Sequence, residues 1–91
     1  MREIIESEHF KAAVEALGGH RAIDEALEPI MEALHQNPHG FPSFRNQWVS
    51  FHYARIKGLA RALIPPLLLM FIIEANGDVI LDYIEEDQDA D

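Results

Sequence analysis

The 91 residues are enough for one domain built on one hydrophobic core. Apolar residues make up 48% of the chain, which sets it apart from disordered acidic segments. No cysteine is present, so a disulfide framework, a thiolate zinc site and a thiol nucleophile are all excluded.

The formal net charge of −9 argues at first sight against a nucleic-acid partner, but the charge is sharply segregated. Residues 1–32 carry eight acids against Arg2, Lys11 and Arg21. Residues 33–73 carry Arg45, Arg55, Lys57 and Arg61 and no acid, and residues 74–91 carry eight acids and no base. A basic middle between acidic ends can become one surface on folding. It can also arise simply because strands tolerate Asp and Glu poorly.

In chain order, residues 2–6 have the look of a short edge strand anchored by Ile4 and Ile5. Ser7 is a good N-cap, because its hydroxyl can accept from a free amide of the first helical turn. Phe10, Ala13, Val14 and Leu17 then recur at helical spacing, and Gly18-Gly19 ends the helix. A second helix is expected over 20–36, with Ile23, Leu27, Ile30, Met31 and Leu34 as its apolar stripe. Asp24, Glu25, Glu28 and Glu32 form its wet side. Pro29 removes an amide donor and crowds the preceding turn, which predicts a kink or break near Leu27-Glu28. Asn37 to Pro42 is dense in turn formers and reads as a loop.

From Gln47 to Lys57 the pattern changes to period two, with Trp48, Ser50, His52, Ala54 and Ile56 on one side. Trp48 is expected to anchor the core. Gly58 to Pro66 is a connection with room for a helical turn at 59–63. Leu67 to Glu74 is apolar on both sides, as a central strand is. Asn76-Gly77 signals a two-residue hairpin turn to a partner strand over 79–85. That turn pairs Ile73 with Ile80, Ile72 with Leu81, Met70 with Tyr83 and Leu69 with Ile84. The sum is an α+β domain over 1–86 followed by an acidic solvated tail over 87–91. Two N-terminal helices pack on one face of an antiparallel sheet of three to four strands, in the order β-α-α-β-β-β.

Two helices cover only one face of such a sheet. The predicted register puts Leu68, Met70, Ile72, Leu81 and Tyr83 on one side. Leu67, Leu69, Phe71, Ile73, Ile80 and Ile84 fall on the other. One apolar set therefore needs a partner, and Leu68, Met70, Ile72 and Leu81 are the expected interface. The start of the chain has acids where a signal peptide needs bases, and the longest apolar run carries Pro65-Pro66. A cytoplasmic protein without a membrane span is expected.

The element order resembles the RelE/ParE group of small toxins from toxin-antitoxin operons. The resemblance runs over about residues 2–85. It includes Phe10 soon after the opening strand, the Leu34…Asn37-Pro38…Gly40 loop, Trp48, Tyr53 and Arg55, and the final Leu/Phe/Ile hairpin. It implies a cognate antitoxin as partner, beside or instead of the second copy of the chain that the uncovered sheet face allows. In the RNA-cleaving branch it implies a metal-free, cofactor-free endoribonuclease acting on messenger RNA at the ribosome. There the ribose 2′-hydroxyl attacks the adjacent phosphate, so protein groups must move protons and stabilise negative charge.

The residues available for that work are Arg55 and Arg61, with His52 or Tyr83 as proton carriers and Arg45 and Lys57 as further phosphate contacts. Solvated cations, a surface histidine and a packed tyrosine are the competing readings. In the other branch the implied target is DNA gyrase, and a third reading is a non-catalytic homodimeric binding protein that kept the fold and lost the activity. This chain departs from the RNA-cleaving pattern at Asp82 to Asp89, where basic residues are usual in active relatives. His35 and His39 have the spacing of a helical metal pair, but Asn37-Pro38 breaks the helix between them, so no metal is expected.

Overall fold

A computed structural model describes residues 2–59, 61 and 63–88. The elements are β1 (Ile4–Glu6), α1 (Glu8–Ala16), α2 (His20–Gln36), a 3₁₀ turn (Pro38–Gly40), β2 (Ser43–Arg45), β3 (Ser50–Ile56), β4 (Leu67–Ile73) and β5 (Val79–Glu86). The α+β layering is as expected, but the sheet has five strands in the order β1-β5-β4-β3-β2. It is mixed rather than antiparallel, because β1 runs parallel to β5. β1 lies at the expected edge, and the helical hairpin supplies the crossover that a parallel pairing needs. The unforeseen strand is β2, which pairs with β3 through Phe44 and Phe51.

Helix α1 starts where its cap allows. Ser7 Oγ accepts from Phe10 N at 3.0 Å and donates to Asp82 O at 3.2 Å, and Ser7 N donates to Leu81 O at 3.1 Å. One residue thus ends β1, begins α1 and holds both to β5. Gly18 and Gly19, with φ of 114° and 94°, turn the chain where side chains would be strained. Helix α2 runs unbroken through Pro29. Both Pro29 and Glu25, whose carbonyl lost its helical donor, are exposed, so water can replace the missing bond.

The core lies between the helices and one side of the sheet. Phe10 and Val14 of α1 and Ile23, Leu27 and Leu34 of α2 are buried against Leu67, Leu69, Phe71, Val79, Leu81 and Ile84. Arg2 ties the last turn of α2 to the β4–β5 hairpin. Its Nη1 donates to Leu34 O at 3.3 Å and His35 O at 2.8 Å, and its Nε donates to Gly77 O at 3.2 Å.

The hairpin corrects the predicted turn. Its loop is three residues, Ala75 to Gly77, because Glu74 N donates to Asp78 O and Gly77 N to Glu74 O. Gly77 has φ of 95°, whereas Leu63 is the sole non-glycine with positive φ among the described residues, so Asn76 does not take the left-handed turn position. The ladder therefore begins one residue out, with Ile73 opposite Val79, Ile72 opposite Ile80 and Phe71 opposite Leu81. A bulge then inserts Asp82 and restores the expected pairs Met70–Tyr83 and Leu69–Ile84. Ser7 Oγ takes the carbonyl of that extra residue.

The consequence is an exchange of sides. Leu81 enters the core, fully buried, and Ile80 moves to the face expected of Leu81. Leu81 is therefore no interface residue. Trp48 is a second correction, being 81% exposed at the tip of the β2–β3 hairpin. The helical turn expected at 59–63 falls partly on residues outside those described, and its ends are joined by reciprocal Leu59–Ile64 backbone bonds of 2.8 and 3.0 Å. No helix among the described residues is long and apolar enough to cross a membrane.

Ser7→Ala should lower the free energy of unfolding by about 1–2 kcal/mol, read from urea transitions, since it removes a helix cap and the bond to the bulge. Ser7→Asp, which keeps the acceptor and loses the donor, should recover part of it.

Candidate functional site

With both helices on one side, the other side of the sheet is open, and the strand register defines what lies on it. One row sets Ile5 opposite Ile80 and Ile80 opposite Ile72, and Phe51 opposite Phe44 follows at the next position of the β3–β4 register, beyond His52 opposite Phe71. Ile5, Ile72 and Phe44 are 40%, 40% and 46% exposed. The Phe44 and Phe51 rings stack with centroids 5.4 Å apart. A second row sets Tyr53 opposite Met70 and Met70 opposite Tyr83. A third sets Arg55 opposite Leu68 and Leu68 opposite Glu85. Of the expected interface, Leu68, Met70 and Ile72 are here, joined by Ile5, Ile80, Phe44 and Phe51. The alternation of β3 signalled Phe51, whereas Ile80 was hidden by the register and Phe44 by the brevity of β2.

The expected catalytic set does not assemble. Side chains alternate across a strand, so His52 and Arg55 project from opposite sides of β3. His52 is on the helix side, where its ring stacks on Phe71 with centroids 5.6 Å apart and meets His39 edge-on at 6.2 Å. Burial, reinforced by the charge of His39, holds its pKa below the ordinary value. By register Arg45 pairs with Ser50 and falls on the same side as His52. Arg61 is exposed in the β3–β4 connection, and Lys57 is exposed just beyond β3. Tyr83 is partly buried, its ring 5.7 Å from that of His9 on α1. The basic middle is thus not one surface.

Arg55 itself is engaged. Its Nη1 donates to both carboxylate oxygens of Asp87, at 2.9 and 2.8 Å. Asp87, expected in a solvated tail, is buried, with its side chain only 5% exposed, and its amide donates to Pro66 O at 2.9 Å. The β4–β5 ladder continues one residue beyond β5, which brings Asp87 within diagonal reach of Arg55 across β4. The sequence signal was available in hindsight: Pro66 and Asp87 are the next pair after Leu67–Glu86.

On the opposite side of the molecule, a cleft of about 510 Å³ lies between α2 and the β1–β5 edge. Glu6, Asp24, Glu25 and Glu28 line it, so it disfavours anions. Beside it, His20 Nε2 lies 2.9 Å from Glu6 Oε1. That hydrogen bond raises the His20 pKa, burial opposes it, and the charges of Glu6, Asp24 and Glu15 add to it. No group of three or more His, Cys, Asp or Glu among the described residues is placed to hold a metal ion. Comparison with models of protein families, with curated proteins and with solved structures finds no match.

The two histidines act on stability in opposite senses. The contribution of His20 is fully present below its ordinary pKa of 6.5 and is lost as pH rises through the raised value. That of His52 is present above 6.5 and is lost as pH falls through the lowered value. In urea midpoints measured against pH, His20→Gln should remove a loss on the alkaline side, and His52→Phe a loss on the acid side.

Proposed function

We propose that this chain is a toxin-like protein of the RelE/ParE type that works by holding a protein on the open face of its sheet. The observation that carries this reading is the apolar row through Ile5, Ile80, Ile72, Phe51 and Phe44, with Ile5, Ile72 and Phe44 exposed and Ile80 and Phe51 partly so, on the side that the helices leave uncovered. A contiguous apolar face of this kind marks an interaction surface more than a place for chemistry. The order of one strand, a helical hairpin and consecutive strands supports the toxin-like part. Its partner is a cognate antitoxin or a protein target such as gyrase.

RNA cleavage is less favoured. In-line attack by a ribose hydroxyl needs a proton carrier and a cation within reach of one phosphate, and His52 lies across the sheet from Arg55. A second reading is nonetheless favoured by one observation: Arg55 and Tyr53 belong to the same side of β3, two residues apart. In that reading the Asp87 carboxylate holds the position a phosphate would take on Arg55 and has to be displaced.

Induced expression in a bacterial host separates the two. Protein capture predicts growth arrest with intact messenger RNA. The arrest should be lost in a Phe44→Glu, Ile72→Glu variant and kept in an Arg55→Ala, Arg61→Ala variant. Messenger RNA cut at the ribosome, with cutting abolished by Arg55→Ala and increased by Asp87→Ala, would establish the second reading instead. Harmless expression of the wild-type chain would overturn the toxin-like assignment altogether.

A further inference from the structure

We infer that, when no other protein occupies it, the open face is held by a second copy of this chain, sheet against sheet, about a two-fold axis running along β4. The inference rests on reading that face as a protein-binding surface, and it specifies the occupant and its orientation.

The strand order carries the argument. β4 is the central strand, with β5 and β1 on one flank and β3 and β2 on the other. A two-fold axis parallel to β4 and lying in the interface keeps height along the strands and exchanges the flanks. β5 of one copy then lies over β3 of the other, and β1 over β2. Each transverse row meets its own reverse. Leu68 meets Leu68 on the axis, with Glu85 of each copy facing Arg55 of the other. Met70 meets Met70, with Tyr53 beside it on the β3 flank. In the apolar row Ile72 meets itself, and Ile5 lies over Phe44. A two-fold axis across the strands would instead keep each flank over its own kind, acid over acid. Charge and apolarity are therefore self-complementary for one axis and not for the other.

The charge balance agrees. On the open face itself Glu85 lies on the β5 flank and Arg55 on the β3 flank, each opposite Leu68. Arg55 keeps a half-exposed side chain even while bound to Asp87, so its remaining donors are free to meet a carboxylate from outside. Aligned packing, with strands about 30° apart, is the ordinary geometry for two twisted sheets.

Size sets the strength. Three strands of seven or eight residues and two of three make a face of about 440 Å² at ordinary strand spacings. Two copies bury about 900 Å², to which the β2–β3 tip adds a little. That is below the range of standard specific interfaces and in that of weak, transient ones, so the dimer should dissociate in the micromolar range or above and yield to a better-fitting partner.

Sedimentation equilibrium of the full chain should show a monomer–dimer equilibrium over micromolar concentrations. Ile72→Glu should weaken it about a hundred-fold by burying an unpaired charge, with circular dichroism and thermal unfolding unchanged. Phe44→Ser at the sheet edge is the second variant should Ile72→Glu unfold. Because the chain has no cysteine, Leu68→Cys isolates the axis. A short bis-maleimide should join two such chains, and should not join chains carrying Glu28→Cys on α2. A wild-type chain that stays monomeric, a dimer indifferent to both face variants, or efficient joining through Glu28→Cys would overturn the inference. A monomer whose growth arrest still needs Phe44 and Ile72 would overturn the second copy alone and leave the open-face reading standing.

Discussion

Two helices cannot cover both faces of a five-stranded sheet, and this constraint governs nearly everything else about the molecule. Phe10 and Val14 of α1 and Ile23, Leu27 and Leu34 of α2 supply one layer of side chains, enough to bury one face of β4 and β5. Strands that alternate must then show their other face to solvent or to another protein. In most antiparallel sheets that second face is polar. Here β4 is apolar at every position from Leu67 to Ile73, so the second face is apolar as well.

The sorting of side chains between those faces depends on a single inserted residue. Without the bulge at Asp82 the short hairpin loop would carry its one-residue offset along the whole ladder, and Ile84 would leave the core. With it, Val79 and Leu81 before the bulge and Ile84 after it all reach the helices. Ser7 connects this irregularity to the rest of the fold, because the residue that caps α1 also accommodates the bulged backbone.

The electrostatic pattern has a similar logic. The acid-free stretch is a run of strands and connections whose cations point to different sides, and the cation on the open face is bound by a carboxylate from the acidic end. The pairing of Arg55 with Asp87 turns opposite charges that were distant in sequence into one local, nearly neutral feature. That favours recognition through apolar contact bordered by charge over attraction of a polyanion.

Much of the local structure was legible in the residues. The cap at Ser7, the Gly18-Gly19 stop, the stripe of α2 and the alternation of β3 are short-range signals, each decided by contacts within a turn or a strand. The imbalance between one helical layer and a doubly apolar β4 was also visible, and with it the placement of Leu68, Met70 and Ile72 together on the side the helices leave uncovered. What the residues alone left open depended on pairing across the sheet. A shift of one residue in register exchanges faces, so the exchange of Leu81 for Ile80 awaited the three-residue loop and the bulge. The parallel placement of β1, the recruitment of Phe44 into a fifth strand and the burial of Asp87 against Arg55 likewise depend on neighbours far along the chain.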